Sequence, residues 1–423
     1  MLRMNILLIH QYFLEKNDSG GSRWTSFTKK WNDNNHKITV LAGMVHYTTG
    51  KKHNKYRGKY FFIDRVSEKL TVIRSHVSES YNSSFIGRLW AYFSFVFSSL
   101  ISGFFKLKNN FDLIIVTSPP LFVGITALLL SKLKSVPFVF EIRDLWPESA
   151  IDTGVLKNKF IIKISLYFEK IIYKNASLIV VLTPAFKQKL VDIKNVNPAK
   201  IVFIPNAADF YLTDELMKTF DIIKFKNENN LCNKFIVLYV GAHGLANNLI
   251  QIIEAAEKTQ FTDPEILYLL IGDGMEKKML INEAKNKNLN NIIFLDPVSK
   301  SEIFKYILSC DIGTSVLKKA DTFKTVYSNK TFDYMSCKKP VLMLIDGISR
   351  ELVEEANCGL YVEPEDIYSF IEKIKFYKNN PYTIQVHGEN GYNYAKLHFD
   401  RDKLANDYIE ILNNHIKKIN NYE

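Results

Sequence analysis

Residues 324–343, KTVYSNKTFDYMSCKKPVLM, bring together the two kinds of side chain that a nucleotide needs. Lys324 and Lys330 bracket a turn, Tyr327-Ser328-Asn329, that opens a short helical pattern carrying Asp333. A turn entering a helix presents unpaired backbone N–H groups and the positive end of a dipole, which suits a phosphate. A carboxylate one turn into that helix can accept hydrogen bonds from a ribose diol. Lys339-Pro340 and the apolar run Val341-Leu342-Met343-Leu344 then read as a buried strand. The plainer alternative for these residues is a solvated helix start ahead of a core strand.

Three further loops carry candidate groups. In FVFEIRDLWPESAIDTG, residues 138–154, a strand ends at Glu141-Ile142 and Arg143, Asp144 and Glu148 fall in the loop after it. The C-terminal end of a strand in a doubly wound sheet is where chemistry usually occurs, although Asp144 as a helix cap paired with Arg143 explains the same residues. In Asn17-Asp18-Ser19-Gly20-Gly21-Ser22-Arg23, two glycines before a helix let backbone approach an anion, and Arg23 either neutralises charge there or is a solvated helix-start residue. In VLYVGAHGLANNL, residues 237–249, strand, Gly241-x-x-Gly244 turn and helix follow in the order a phosphate site needs, with His243 either a ligand or a turn residue. No HExxH or cysteine cluster is present, so a departing diphosphate has helix N-termini and lysines to stabilise it, and metal independence is expected.

Alternating elements must position these loops. Apolar strand runs occur at 5–9, 37–41, 112–116, 136–142, 177–182 and 201–204, and again at 234–240, 265–271, 291–295, 311–315 and 340–344, with helical patterns between them. Unbroken apolar strands separated by helices indicate parallel sheets covered on both faces. At 423 residues the chain suits two such domains. The expected division is a domain at 1–206, a linker at 207–233, a second domain at 234–395, and a C-terminal helix at 396–423 that packs back on the first domain. Ligands are expected at the C-terminal ends of the strands.

The net charge of +11 is uneven. Residues 1–200 hold 29 Lys and Arg against 13 Asp and Glu, net +16, whereas residues 201–423 carry a net −5. A partner that is anionic on one side only, nucleic acid or an anionic membrane surface, fits that asymmetry. No nucleic-acid-binding signature is present, which favours the membrane. The run Leu89–Phe105, LWAYFSFVFSSLISGFF, is uncharged and follows a stretch, 51–74, with eight Lys and Arg against two acids. It is slightly short for a transmembrane helix and reads as a buried domain helix or one lying in the membrane interface. The N-terminal apolar run, Ile6 to Ile9, reads as a first strand and not a signal peptide, and the four cysteines lack metal or disulfide spacing. Both suit the cytoplasm.

The segment at 324–343 resembles the donor site of family 4 glycosyltransferases. DLWPES is similar to a string in the bacterial subgroup that builds O-antigen and capsule, including N-acetyl-L-fucosamine transferases. Leu270-Ile271-Gly272-Asp273-Gly274, Ile204-Pro205-Asn206-Ala207-Ala208-Asp209 and Phe294-Leu295-Asp296-Pro297-Val298 extend the resemblance over nearly the whole chain. It implies a GT-B fold, α/β, with two doubly wound Rossmann-like domains facing across a cleft. It implies a retaining enzyme moving a sugar, such as an N-acetylated hexosamine or deoxyhexosamine, from a UDP-sugar to a lipid-linked or glycan acceptor. Lys324, Thr325, Ser328, Asn329, Lys330, Asp333, His243, Gly20, Gly21 and the main chain at Val298 would hold the donor. Asp144 and Glu148 would orient sugar or acceptor, with Arg23 and Arg143 on the acceptor. The family commonly carries an arginine and a lysine in the loop where Ala242, His243, Ala246 and Asn247 stand here, and a glutamate where Thr325 stands. These departures shift the cationic role to Lys324 and Lys330 and leave the donor sugar open. A sugar-nucleotide epimerase or hydrolase of the same fold, and a non-catalytic membrane-associated scaffold, are the alternatives.

Overall fold

The computed structural model describes residues 3–15, 18, 23–46, 49–81, 83–107 and 110–420; Gly20 and Gly21 lie outside the described residues. The chain forms two compact units. One runs to Pro205 and takes in Asp402 onward; the other is Asn206–Arg401.

The first unit holds an eight-stranded sheet: β1 (Asn5–Ile9), β2 (Lys37–Gly43), β3 (Phe61–Arg65), β4 (Leu70–Ser75), β5 (Leu113–Ser118), β6 (Phe138–Ile142), β7 (Leu178–Val181) and β8 (Ile201–Phe203). Their order is β3-β4-β2-β1-β5-β6-β7-β8, parallel throughout except for β3. The inner strands are Ile, Leu and Val runs buried on both faces, which is why the sequence shows them without alternation. The basic stretch 51–74 is different. It supplies the β3–β4 hairpin, in which Phe61 and Ile63 stay exposed and Arg74 is buried. The Arg74 guanidinium donates to the carbonyls of Phe13 and Gly43 and pairs with Glu15 at 3.2 Å. Neither strand has the unbroken Ile, Leu and Val run of the inner strands.

Helix Arg23–Asp33 buries Trp24, Phe27 and Trp31. Tyr408, on helix Arg401–Asn420, meets all three rings at centroid distances of 5.6–6.1 Å, and the Trp31 Nε1–H donates to the Ala405 carbonyl at 2.7 Å. Arg23 is 4% exposed. Its guanidinium pairs with the fully buried Glu141 carboxylate at 3.1 Å and donates to the carbonyls of Ile204 and Pro205. Arg23 is therefore neither a solvated helix-start residue nor turned toward an acceptor. It is a brace joining this helix, the end of β6 and the chain after β8.

The second unit holds β9 (Phe235–Val240), β10 (Ile266–Ile271), β11 (Ile292–Leu295), β12 (Ile312–Val316), β13 (Val341–Leu344) and β14 (Gly359–Tyr361), parallel in the order β11-β10-β9-β12-β13-β14. The segment expected as a linker is helical, at Phe210–Thr219 and Ile222–Glu228. Leu212, Leu216, Met217 and Phe220 recur at helical spacing and pack on the core of this unit. Helix Asn329–Ser336 is seated by Tyr334. The Tyr334 hydroxyl accepts from the Val240 N–H and lies 3.2 and 3.3 Å from the carbonyls of Leu238 and Thr314.

Replacing Arg23 by methionine strands the Glu141 carboxylate in the core. The expected cost is about 3–5 kcal/mol, read as a lower urea midpoint, with partial recovery in the Arg23→Met/Glu141→Gln double variant. An unchanged midpoint would show that the brace carries no weight.

Candidate active site

At the C-terminal edge of the second sheet the loops after β9 and β10 touch backbone to backbone. Gly272 has φ +155°, and a Cβ there would stand 1.8 Å from the Gly241 carbonyl oxygen. The His243 N–H donates to the Asp273 carbonyl at 2.9 Å, and the His243 carbonyl accepts from the Glu276 N–H at 2.9 Å. Lys277 ties the same edge, donating to the carbonyls of Gly272 and Leu295 and pairing with Asp296 at 2.6 Å. His243 is fully buried by this contact. Burial, then the nearby Lys277 ammonium, pushes its pKa down to about 4, so it is neutral at pH 7. It offers an anion no positive charge.

Lys330, in the first turn of helix Asn329–Ser336, runs its side chain along Gly241. A Cβ at Gly241 would stand 3.2 Å from Lys330 Cε. The ammonium sits 4.8 Å from the centre of the Tyr239 ring and 3.4 Å from Ser328 Oγ. Among the described residues no carboxylate lies within 4.0 Å of it. Burial lowers its pKa to about 8. Ser328 precedes the helix in an extended conformation and makes no side-chain cap, and Asn329 is exposed.

Asp333 stands one turn further on. Burial raises its pKa, against the opposing charges of Lys300 and Arg401. Lys300 pairs with Asp209 at 2.8 Å, and Arg401 lies 3.7 Å from the same carboxylate while donating to the Ala207 carbonyl. Sequence reasoning missed Lys300 and Arg401. The signal available for Lys300 was its place just inside a Ser299-x-x-Glu302 helix start, where Ser299 accepts from the Glu302 N–H. An ammonium beside a glycine loop and a carboxylate one turn later can hold a diphosphate and a ribose diol.

Other expected donor residues are placed elsewhere. Lys324 is paired with Asp321 at 3.1 Å and Asp346 at 3.7 Å, and lines a small surface depression with Lys318, Lys319 and Glu363. The Thr325 hydroxyl is turned inward and donates to the Thr322 carbonyl at 2.7 Å, closing the turn Asp321–Thr325. Val298 is half-buried and packs on the core of the unit. The structure thus joins Lys330, Ser328, Asp333 and the Gly241 loop and leaves Lys324 with other partners.

In the first unit, Arg143 follows β6, half-buried, with its N–H on the Ser118 carbonyl. Its charge, after burial, holds the His10 imidazole well below its usual pKa. His10 Nδ1 is 2.6 Å from Thr117 Oγ1. Asp144 accepts from Ser149 Oγ at 2.7 Å, and burial raises its pKa. Glu148 pairs through one oxygen with Lys194, which also holds Glu169 at 2.7 Å. The second Glu148 oxygen is buried with no hydrogen-bond partner among the described residues, as are both polar atoms of Gln11. His10 and Gln11 went unread because polar residues beside an apolar run carry no pattern, and Lys194 because it is one lysine in the loop after helix Pro184–Asp192. Among the described residues no group of three or more His, Cys, Asp or Glu side chains is placed to hold a metal ion.

A family model described as a glycosyl transferase 4-like domain matches residues 21–207, and one described as glycosyl transferases group 1 matches residues 221–394. No curated protein sequence matches the chain. Among solved structures, sucrose-phosphate synthase from Thermosynechococcus elongatus superposes with a TM-score of 0.75 at 16% identity, over 97% of this chain and 99% of that one. The Anabaena protein Alr3699/HepE in complex with UDP-glucose gives 0.70 at 16%, over 97% and 100%. WaaG, a glycosyltransferase involved in lipopolysaccharide biosynthesis, gives 0.68 at 13%, over 95% and 98%. At these identities the likeness shows the fold, which is GT-B. The two family models divide nearly the whole chain between them at the boundary of its two units, and the chain belongs to the group 1 and 4-like glycosyltransferases.

Proposed function

We propose that the enzyme transfers a sugar from UDP to a lipid-linked or glycan acceptor in surface polysaccharide synthesis, with retention of configuration. The carrying observation is Lys330: a half-buried ammonium beside the Gly241 loop with no carboxylate in salt-bridge reach among the described residues. A cation held this way lacks a counter-charge that a diphosphate supplies. Asp333 takes the ribose diol, and the N-terminus of its helix adds a dipole. In the reaction the bond from the anomeric carbon to the β-phosphate oxygen breaks. The acceptor oxygen bonds that carbon, and the acceptor proton leaves with the diphosphate. Lys330 favours this step by stabilising charge as it develops on the leaving oxygen. Asp144 and Glu148 orient the acceptor. The UDP-glucose complex of Alr3699/HepE and the lipopolysaccharide role of WaaG support this reading of donor and acceptor. The enzyme works peripherally at an anionic membrane surface on the cytoplasmic side and needs no metal.

Calorimetric titration with UDP, GDP, ADP and TDP, without and then with magnesium, tests this. UDP is expected to bind most tightly, equally with and without the metal. Lys330→Ala should weaken it about ten- to a hundredfold, the worth of one charge-assisted hydrogen bond. Preference for another diphosphate, or unchanged binding by the variant, removes the assignment.

The pH dependence follows from the same group. Diphosphate binds the protonated amine, so UDP affinity should hold at neutral pH and fall as pH rises through about 8. Above that point the slope approaches tenfold per pH unit. Lys330→Arg should bind UDP without that fall, since guanidinium stays charged. The same alkaline limb in the arginine variant would place the titrating group elsewhere.

A further inference from the structure

Helix Phe85–Lys106, 22 residues long, is fixed to the first unit by a buried face that mixes serines with Ala91, Phe95 and Val96. Ser94, Ser98, Ser99 and Ser102 are all buried. Ser94 accepts from the Ser78 N–H, Ser98 donates to the His76 carbonyl, Ser99 bonds Thr126, and Ser102 bonds Ser75 of β4. A second apolar stripe faces out. Ile86, Trp90, Phe97, Ile101, Phe104 and Phe105 are 46–78% exposed. At 3.6 residues per turn they share an arc of about 100° over roughly 30 Å of helix. An ordinary surface helix of a globular domain keeps the face opposite its buried one charged or polar. An exposed apolar stripe of this extent marks an interaction surface.

The stripe continues onto neighbouring elements. Helix Val123–Lys134 packs against this helix closely enough that a Cβ on Gly103 would stand 2.8 Å from Leu130. It presents Leu129 and Leu133 with Lys132 between them. At the other edge the Lys106 ammonium lies over the exposed Phe61 ring at 4.3 Å. Aromatic and aliphatic groups rimmed by lysines, on the half of the chain with net charge +16, complement an anionic lipid surface and not a second basic copy.

We infer that the apolar face of helix Phe85–Lys106 lies in the plane of an anionic bilayer, its aromatic side chains at the headgroup boundary and its serine face still packed on the domain. The helix does not span the bilayer, because β4 before it and β5 after it belong to one sheet and its serines are bonded to that unit. This inference rests on the reading of a membrane-borne acceptor and names the surface that meets the membrane.

Flotation of the full-length protein with phosphatidylcholine vesicles, with and without phosphatidylglycerol, tests it. Binding is expected with the anionic vesicles, weaker at high salt. Phe104→Ser/Phe105→Ser should reduce it roughly tenfold or more, while UDP titration and thermal unfolding stay at wild type. Trp90 emission should shift to the blue on vesicle binding, and Trp90→Phe should abolish that shift. Equal binding to neutral vesicles, binding untouched by the double variant, or a dimer in solution that the double variant separates would each overturn the assignment. Loss of UDP binding with flotation intact would count against the donor reading alone.

Discussion

Stripping water from an ammonium group without giving it a carboxylate is unfavourable, and the second unit is organised around one such group. Lys330 is held over the face of Tyr239, along a glycine that leaves it room, and near a serine that bonds it only at 3.4 Å. The surrounding cations are treated differently: Lys277 is matched to Asp296, Lys300 to Asp209, and Lys324 to Asp321 and Asp346. The tight backbone contact between the Gly241 and Gly272 loops shapes the wall beside Lys330. It also buries His243 in its neutral form, so the charge of the loop edge comes from the lysine and not the imidazole.

The parallel strands were legible because their burial on both faces forces unbroken Ile, Leu and Val runs. The helix after Ser328 was legible because turn, polar start and apolar spacing coincide. The β3–β4 hairpin was not, since its outer strand keeps Phe61 and Ile63 exposed and its inner strand buries an arginine. Pairings between distant residues were also hidden: Arg23 meets Glu141 across 118 positions, and Lys300 meets Asp209 across 91. Lys324 and Lys330 are six apart in sequence, yet a single turn ending at Thr325 directs Lys324 to Asp346. Spacing alone treats the two lysines as equivalent; their local partners do not.

The first unit uses charge to fix its strand ends. Arg23 and Glu141 tie the first helix to the sheet, while Lys194 sits between Glu148 and Glu169. Beside these pairs, burial raises the pKa of Asp144, and one Glu148 oxygen has no protein partner among the described residues. The same unit spends hydroxyl groups to attach its longest helix, which frees the aromatic side of that helix from the core. The uncharged run at 89–105 thus owes its composition to two surfaces. Its serines and Phe95 serve the protein, while Trp90, Phe97, Phe104 and Phe105 stay exposed.

The most direct measurement of the central claim is the pKa of Lys330 itself, followed by NMR of labelled lysine amines with Lys330→Arg to assign the signal. The free enzyme should titrate this amine near 8, and saturating UDP should raise the value by about two units or more, since a bound diphosphate favours the ammonium form. An amine that titrates at an ordinary lysine pKa, or one that UDP leaves unmoved, would contradict the account.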